Sequence, residues 1–451
     1  MNAHLGGVGL GFRRELAHAL LSDPRAVDFV EVVAETCRDR AALREAMALR
    51  ELWPVVPHGV KLSLGSAEGL DLGRARELGR IAKALKAPLV SEHVSFVRAG
   101  GREIGHLTEL PMTREAVSVV ARNVAALRRE LPDIPLLLEN VARAFVWPES
   151  AHEMTEGEFH AEIAEATGCD LLLDVGNLYA NAVNAGRDPS AELASFPLDR
   201  VAMLHVAGGV EEHGFYFDTH AHPIPAPVLD LVARVPGVPV LLERDAGFDS
   251  PADPPRSGRV DASASILAEV ALLRASRAPG GAVCRARTEH ATPPPDRVVA
   301  ELERRQTELA LALTSSDATD DPAILRARGV LERKRADDAL PLLPELGGRL
   351  AQHDALRLGR IPVVPRLPSM TAVADAMRIA DAARGVPELA RAAVRDGAIL
   401  RARFSGGPDG PRPRALPCVV REEAADGRSV WAWKGFGAGA PVRVYERGAR
   451  G

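Results

Sequence analysis

Paired thiols are missing from this sequence. Its four cysteines, Cys37, Cys169, Cys284 and Cys418, stand far apart with no CxxC spacing, so neither a zinc ribbon nor a disulfide framework is indicated. A reducing compartment suits them. An excess of positive charge is also absent: 56 Lys and Arg against 61 Asp and Glu leave a formal net charge of -5, and nothing electrostatic favours nucleic acid. The chain lacks any run of roughly 18 apolar residues, and its opening MNAHLGGVGLGFRREL lacks the charged start and apolar stretch of an export signal. The expectation is a cytoplasmic protein with neither a membrane nor a nucleic-acid partner. Hydrophobic residues at 46% and charged residues at 26% are ordinary globular values that argue against disorder. A length of 451 residues exceeds what one core usually serves, so two domains are expected.

What is present begins with a rhythm. Through about residue 275, short apolar runs alternate with longer stretches of helical period, the pattern of repeated βα units around a parallel sheet. Eight strands are expected, at residues 7–12, 29–33, 55–62, 89–94, 135–139, 171–175, 201–206 and 239–243, with an eighth helix over 262–275. Eight strands imply a closed TIM-type (β/α)8 barrel over residues 1–275. Residues 276–296, rich in Pro, Gly and Ala, read as a linker. Residues 297–451 read as a smaller α+β domain, with helical patterns over 297–314, 323–334 and 371–396. Short β-like runs follow at 398–404, 416–420, 429–433 and 441–445.

Polar residues suited to metal recur at the carboxyl ends of the expected strands, where a barrel places its active site. Strand three carries His58, strand four Glu92 and His93, strand five Glu139 and Asn140, strand six Asp174 with Asn177 beyond it, strand seven His205 and strand eight Glu243. After strand seven, FDTHAHPI alternates Asp218, His220 and His222, which would share one side of an extended segment. Imidazole and carboxylate together suit iron, manganese or zinc, and several carboxylates able to bridge favour more than one ion.

Each piece has a plainer reading. His58 or His93 alone fits an ordinary hydrogen-bonded histidine near the core, and Asp174 followed by Asn177 fits a turn or helix cap. Glu139 and Glu243 are harder to dismiss, because ionised carboxylates rarely end buried strands unless paired or liganded. The conjunction of all of them at one end of six strands favours a metal site. Two other function classes fit the same residues: a divalent-metal isomerase, epimerase or endonuclease of the xylose-isomerase-like barrel type, and a non-enzymatic metal- or peptide-binding protein.

The segments VEVVAE (residues 30–35), HGVKLSLG (58–65), SEHVS (91–95), GGREIGHLTELPMT (100–113), LEN (138–140), LDVGNLY (173–179), HVAG (205–208), DTH (218–220) and LERD (242–245) resemble, in order, the DUF692 family. These are the multinuclear non-heme iron-dependent oxidative enzymes, which include a methanobactin biosynthesis enzyme. The resemblance implies a TIM-type barrel with two or three iron ions in mixed Fe(II)/Fe(III) states. Such a barrel uses dioxygen as co-substrate to modify a residue, commonly cysteine, in a ribosomally synthesised precursor peptide. Carried over position by position, it makes His58, His93, Glu139, Asp174, Asn177, His205, Asp218, His220 and Glu243 metal ligands, with His222 a further candidate.

The sequence departs from the family pattern at several places. Val33 and Ala34 stand where His-Pro is frequent, Lys61 replaces a Gly, Gly176 the first Asn of a DVNN-like motif, Met203 a Glu and His106 an Asp. Lys61 and His106 are therefore the candidates for catalytic or substrate contact peculiar to this chain. The resemblance also implies a separate partner protein that binds the leader of the peptide, unless residues 297–451 replace it as a fused recognition module. Strand addition to exposed sheet edges is one way such a module holds a peptide.

Overall fold

A computed structural model describes residues 5–212, 214–246, 248, 262–276, 296–315, 317–350, 370–407, 410–423 and 427–447. Most of the expected linker, residues 277–295, lies outside the described residues, as does Cys284. The chain divides into two compact units, one of Met1–Gly100 with Leu107–Gln306 and one of Gly101–His106 with Thr307–Gly451.

The first unit is built on a closed barrel of parallel strands: β1 Val8–Gly11, β2 Phe29–Val33, β3 Val55–Gly59, β4 Val90–His93, β5 Leu136–Glu139, β6 Asp170–Asp174, β7 Val201–Val206 and β8 Val240–Leu242. All eight fall on the apolar runs of the sequence, and β8 closes on β1 through Val8↔Val240 and Leu10↔Leu242. Helices between strands start and stop where local chemistry requires. Asp71 caps the helix Leu72–Leu85 by accepting from Gly73 and Arg74 N–H, and Thr155 with Glu158 forms a reciprocal capping box for Glu156–Thr167. Gly168, at φ 64, ends that second helix in the left-handed conformation glycine adopts without strain.

The barrel interior is layered, and the layering positions the site. Side chains two residues apart on a strand share a face. Phe29, Val56, Leu89, Leu137, Leu172, Met203 and Leu241 form one buried apolar cluster. One pleat further along the same strands stand Glu31, His58, Ser91, Glu139, Asp174, His205 and Glu243, all buried. An apolar floor thus lies directly beneath a polar layer. β1 contributes Gly9 at floor level, where a Cβ would come within 2.5 Å of the Phe29 ring, so the missing side chain makes room for that phenyl group. Met203, which stands where the family pattern often has Glu, is part of the floor and fully buried.

The first unit also takes in the beginning of the helix Asp296–Thr314. Leu302 and Gln306 are fully buried there. Gln306 accepts from Ala67 N–H at 2.8 Å and donates to the Gly65 carbonyl at 2.7 Å.

In the second unit, the helices Pro322–Ala339, Pro344–Leu350, Thr371–Ala383 and Pro387–Arg403 share an apolar cluster that includes Leu343, Leu346, Ile379, Leu389 and Leu400. The Arg335 guanidinium forks onto buried Asp375, at 2.8 and 2.6 Å. A three-stranded antiparallel sheet follows, β9 Cys418–Glu423, β10 Ser429–Lys434 and β11 Val442–Arg447. Two expectations need correction. The single helical pattern over 371–396 is two helices, because Pro387 can only open a new one. The β-like run 398–404 is helical through Arg403, since Ala398, Leu400 and Ala402 continue the buried face of Leu389 and Ala393.

Candidate metal centre

Glu139, the last residue of β5, is the hub of the polar layer. Three groups of side chains bring ligand atoms within 4.8 Å of one another: His58, His93 and Glu139; Glu139, Asp174, His205 and Glu243; and His220, Glu243 and Asp245. Glu139 belongs to the first two groups and Glu243 to the last two. The groups therefore form a consecutive series joined by shared carboxylates. Glu139 Oε2 lies 3.5 Å from His58 Nε2 and 3.3 Å from His93 Nε2, while its Oε1 lies 3.1 Å from His205 Nδ1. Glu243 Oε2 lies 3.4 Å from His205 Nδ1 and 3.3 Å from His220 Nδ1.

Neighbours aim each imidazole. His58 Nδ1 pairs with Ser91 Oγ at 2.8 Å and His93 Nδ1 with the Gly59 carbonyl at 3.2 Å, which turns both Nε2 atoms towards Glu139. Glu92 is not itself in a group; it accepts from the backbone N–H of His93 and of Leu62 and so ties β4 to the loop after β3. Asn140 donates to the Asp174 carbonyl and accepts from its N–H, locking β5 to β6. Arg13 pairs with Asp245 and lies 3.9 Å from Glu243.

The segment carrying Asp218 and His220 is not the regular extended arm the alternation implied. It lies on the strand Phe215–His222, but His220 has φ 53, a left-handed conformation that costs a non-glycine residue energy and that here accompanies an inward imidazole. Its Nε2 is 2.5 Å from Asp218 Oδ2, and its Nδ1 faces Glu243. His222 is exposed, pairs with Thr219 Oγ1 at 2.8 Å and belongs to none of the groups.

Whether such a site fits metal is tested by its unused atoms. Among the described residues, Glu139 Oε2, Asp174 Oδ2, His205 Nδ1 and Asp218 Oδ1 are buried without a hydrogen-bond partner. Buried carboxylate oxygens without donors are costly, and a cation suits the three of them, as it does His205 Nδ1 once that nitrogen gives up its proton. The residues present fit a metal centre.

The charges are strongly coupled. Burial alone would push the His93 imidazolium to lose its proton, but Glu139 and Glu92 outweigh burial and raise its pKa to about 9. His205 and His220 are likewise raised well above the usual range, against burial, chiefly by Glu31 and Glu139 for the first and Asp218 and Glu243 for the second. Glu139 goes the other way: burial disfavours its charge, yet His93, His205 and His58 hold it at about 2. Asp174, buried and beside Asp218, is raised to about 7.

Asn177 lies in the first turn of the helix Val175–Asn184. Its N–H is capped by Asp174 Oδ1 at 2.7 Å and its side-chain amide donates to the Asn140 carbonyl at 3.0 Å, leaving the amide oxygen as the atom it could offer a metal. Lys61 is half-buried on the loop after β3, and its carbonyl accepts from Arg74. His106, on the strand Arg102–Thr108, is half-buried and in none of the groups. Sequence reasoning passed over Glu31, Ser91 and Asp245. Each was within reach of strand parity: Glu31 follows Phe29 by two residues, Ser91 follows Leu89 and Asp245 follows Glu243.

The closed parallel barrel defines this as a TIM-barrel protein, with imidazoles and carboxylates converging at the carboxyl ends of its strands, where such barrels carry their active sites. The family described as "RiPP precursor modification enzyme MbnB/TglH/ChrH" matches residues 7–253, and the chain belongs to that family. Its relatives include a UPF0276 protein of Streptomyces avermitilis, 44% identical over an alignment of 261 residues that covers 55% of this chain and 52% of that protein. A UPF0276 protein of Caulobacter vibrioides is 38% identical over 246 residues, 53% of this chain and 87% of its own length. The chain thus spans about half of the Streptomyces relative and most of the Caulobacter one. Among solved structures, endonuclease IV from Thermus thermophilus aligns with 21% identity and a TM-score of 0.37, covering 60% of this chain and 98% of that one. No helix among the described residues is long and apolar enough to cross a membrane.

Proposed function

We propose that the barrel holds two or three iron ions in mixed Fe(II)/Fe(III) states and uses dioxygen to oxidise a ribosomally synthesised precursor peptide, at cysteine. The observation that carries this reading is the sharing of Glu139 and Glu243 between adjacent ligand groups, which suits neighbouring ions better than isolated ones. Iron bound there would supply open positions for a substrate thiolate and dioxygen and would divide the electron transfers among the ions.

The protein's own part is positioning. His58 and His93 present Nε2 to the first position because Ser91 and Gly59 hold their other nitrogens. Asp174, Asn177 and His205 would hold the second and His220 with Asp245 the third, with Glu139 and Glu243 each available to two groups; Asp218 holds the far nitrogen of His220 and keeps Oδ1 for an ion. The apolar floor of Phe29, Leu137, Leu172 and Met203 keeps water from reaching the centre through the barrel. Lys61 offers a cation at the rim for a peptide carboxylate, and His106 a further substrate contact. Residues 297–451 act as a fused recognition module in place of a separate partner protein, since a tether raises the local concentration of peptide at the barrel. A reducing cytoplasm keeps both ferrous iron and a substrate thiol available.

The test is oxygen uptake by anaerobically prepared, iron-loaded protein, with mass spectrometry of a candidate precursor co-expressed with the chain. Oxygen consumption coupled to a mass change on the peptide supports the reading. Full activity with magnesium or zinc under anaerobic conditions would reject it in favour of isomerase or nuclease chemistry, and iron binding with no oxygen consumption on any substrate would leave a binding protein.

A further inference from the structure

The sheet of the second unit has one face more apolar than its fold requires. Exposure alternates strictly along β9 and β11. Val420, Val430, Ala432, Val442 and Val444 face inward with Val394, Ala398 and Ala402 of the preceding helix. Several residues of the other face are exposed. In register across the three strands it presents Val419, Trp433 and Arg443 in one row, then Arg421, Trp431 and Tyr445, then Glu423, Ser429 and Arg447. A solvent face normally carries polar residues. Here Trp433 is 47% exposed, Tyr445 66% and Val419 58%, and Leu416 and Phe436 stand exposed beside the Cys418–Lys434 end of the sheet.

We propose that this face docks an acidic peptide segment that also carries apolar side chains. Trp, Tyr and Arg are the residues that dominate binding energy at protein surfaces, and they make up most of the two upper rows. Charge selects the sign of the partner. Arg421 is neutralised by Glu423, but among the described residues no carboxylate pairs with Arg443 or Arg447, so the face is locally basic on a chain of net charge -5. Size selects a peptide over a folded partner. Strands of six residues at ~3.3 Å rise and three strands at ~4.8 Å spacing give a patch of roughly 20 by 10 Å, well below the ~800 Å² per side of a stable protein interface. A two-fold contact with a second copy would set Arg443 and Arg447 against like charges. Single-stranded nucleic acid fits less well, because Arg421 and Arg443 already lie over the Trp431 and Trp433 rings, at 5.3 and 5.9 Å, where a base would stack.

Peptide docking at this face rests on the proposed peptide-modifying role, and its test requires neither metal nor turnover, so its failure leaves the metal chemistry standing. A displayed library of random twelve-residue peptides would be selected on the full chain, with Trp433→Ser/Arg443→Glu full chain as the counter-target. Both substitutions lie on the solvent face, and circular dichroism and the melting temperature check that the variant stays folded. Enriched peptides are expected to be net acidic with aromatic or branched apolar residues, and one resynthesised winner should bind at least roughly tenfold more weakly to the double variant. The lone Lys86→Glu change, on the barrel, should leave its affinity unaltered. Absence of enrichment, basic winners, or winners that bind the double variant equally well would overturn the proposal. So would oligothymidylate binding that the double variant abolishes while peptide binding persists, or self-association of the chain that the variant abolishes.

Discussion

His205 Nε2 lies 3.1 Å from Glu31 Oε2, while Nδ1 of the same fully buried ring lies 3.1 Å from Glu139 Oε1. With an ion bound at Nδ1, the Glu31 carboxylate would hold the remaining proton on Nε2, the arrangement by which outer carboxylates orient metal-binding histidines. Glu31→Ala should weaken metal retention about 10- to 100-fold, and Glu31→Gln, which preserves a hydrogen-bonding partner, should recover part of it. Metal per chain after dialysis against chelators of graded strength measures this. Equal retention by wild type and Glu31→Ala would remove Glu31 from the account.

The shared carboxylates give unequal losses. Glu139→Ala touches two ligand groups, whereas Asp245→Ala touches one, at its half-exposed edge. Elemental analysis of the purified variants should find the larger loss of bound metal in Glu139→Ala. A similar loss in both would mean that Glu139 does not join the groups.

Metal uptake should be coupled to proton release. In protein stripped of metal, His93 keeps its proton up to about pH 9 because Glu139 and Glu92 outweigh burial. A metal at Nε2 must displace that proton, so near neutral pH binding releases it, and apparent affinity falls as pH falls, by about tenfold per pH unit for each proton displaced. Calorimetry in buffers of different ionisation enthalpy reads the proton count directly. Affinity that is flat between pH 6 and 8 would show these histidines already neutral.

In the second unit, Arg335→Ala leaves the Asp375 carboxylate, which is 1% exposed, with only the longer contact to Arg378 at 3.4 Å, and should cost about 3 kcal/mol of stability, the lower end of the cost of breaking a buried ion pair. Arg335→Met combined with Asp375→Leu should cost much less, because no charge is left buried. Urea denaturation followed by tryptophan fluorescence checks both, and equal losses in the two variants would make packing, not charge, the cause.

The barrel was legible because each strand is a short apolar run bounded by helical period, and the ligands at strand ends were legible because Glu139 and Glu243 break apolar runs where only pairing or metal makes a carboxylate tolerable. Glu31 escaped notice because it sits in the middle of FVEVV while ligands were sought at strand ends; its parity with the interior Phe29 turns it towards the polar layer. Residues 398–403 misled for a different reason. A short run such as AILRAR has no period of its own, and its helical state is set by packing against residues far from it in sequence. The left-handed turn at His220 has no sequence signal, since glycine or asparagine would be expected there.

The central claim, that Glu139 joins neighbouring irons, is tested most directly by the Mössbauer spectrum of anaerobically prepared protein loaded with ⁵⁷Fe. The account predicts two or three irons per chain with a spin-coupled component that disappears in Glu139→Ala. A single uncoupled iron, or a coupled spectrum unchanged in Glu139→Ala, would contradict it.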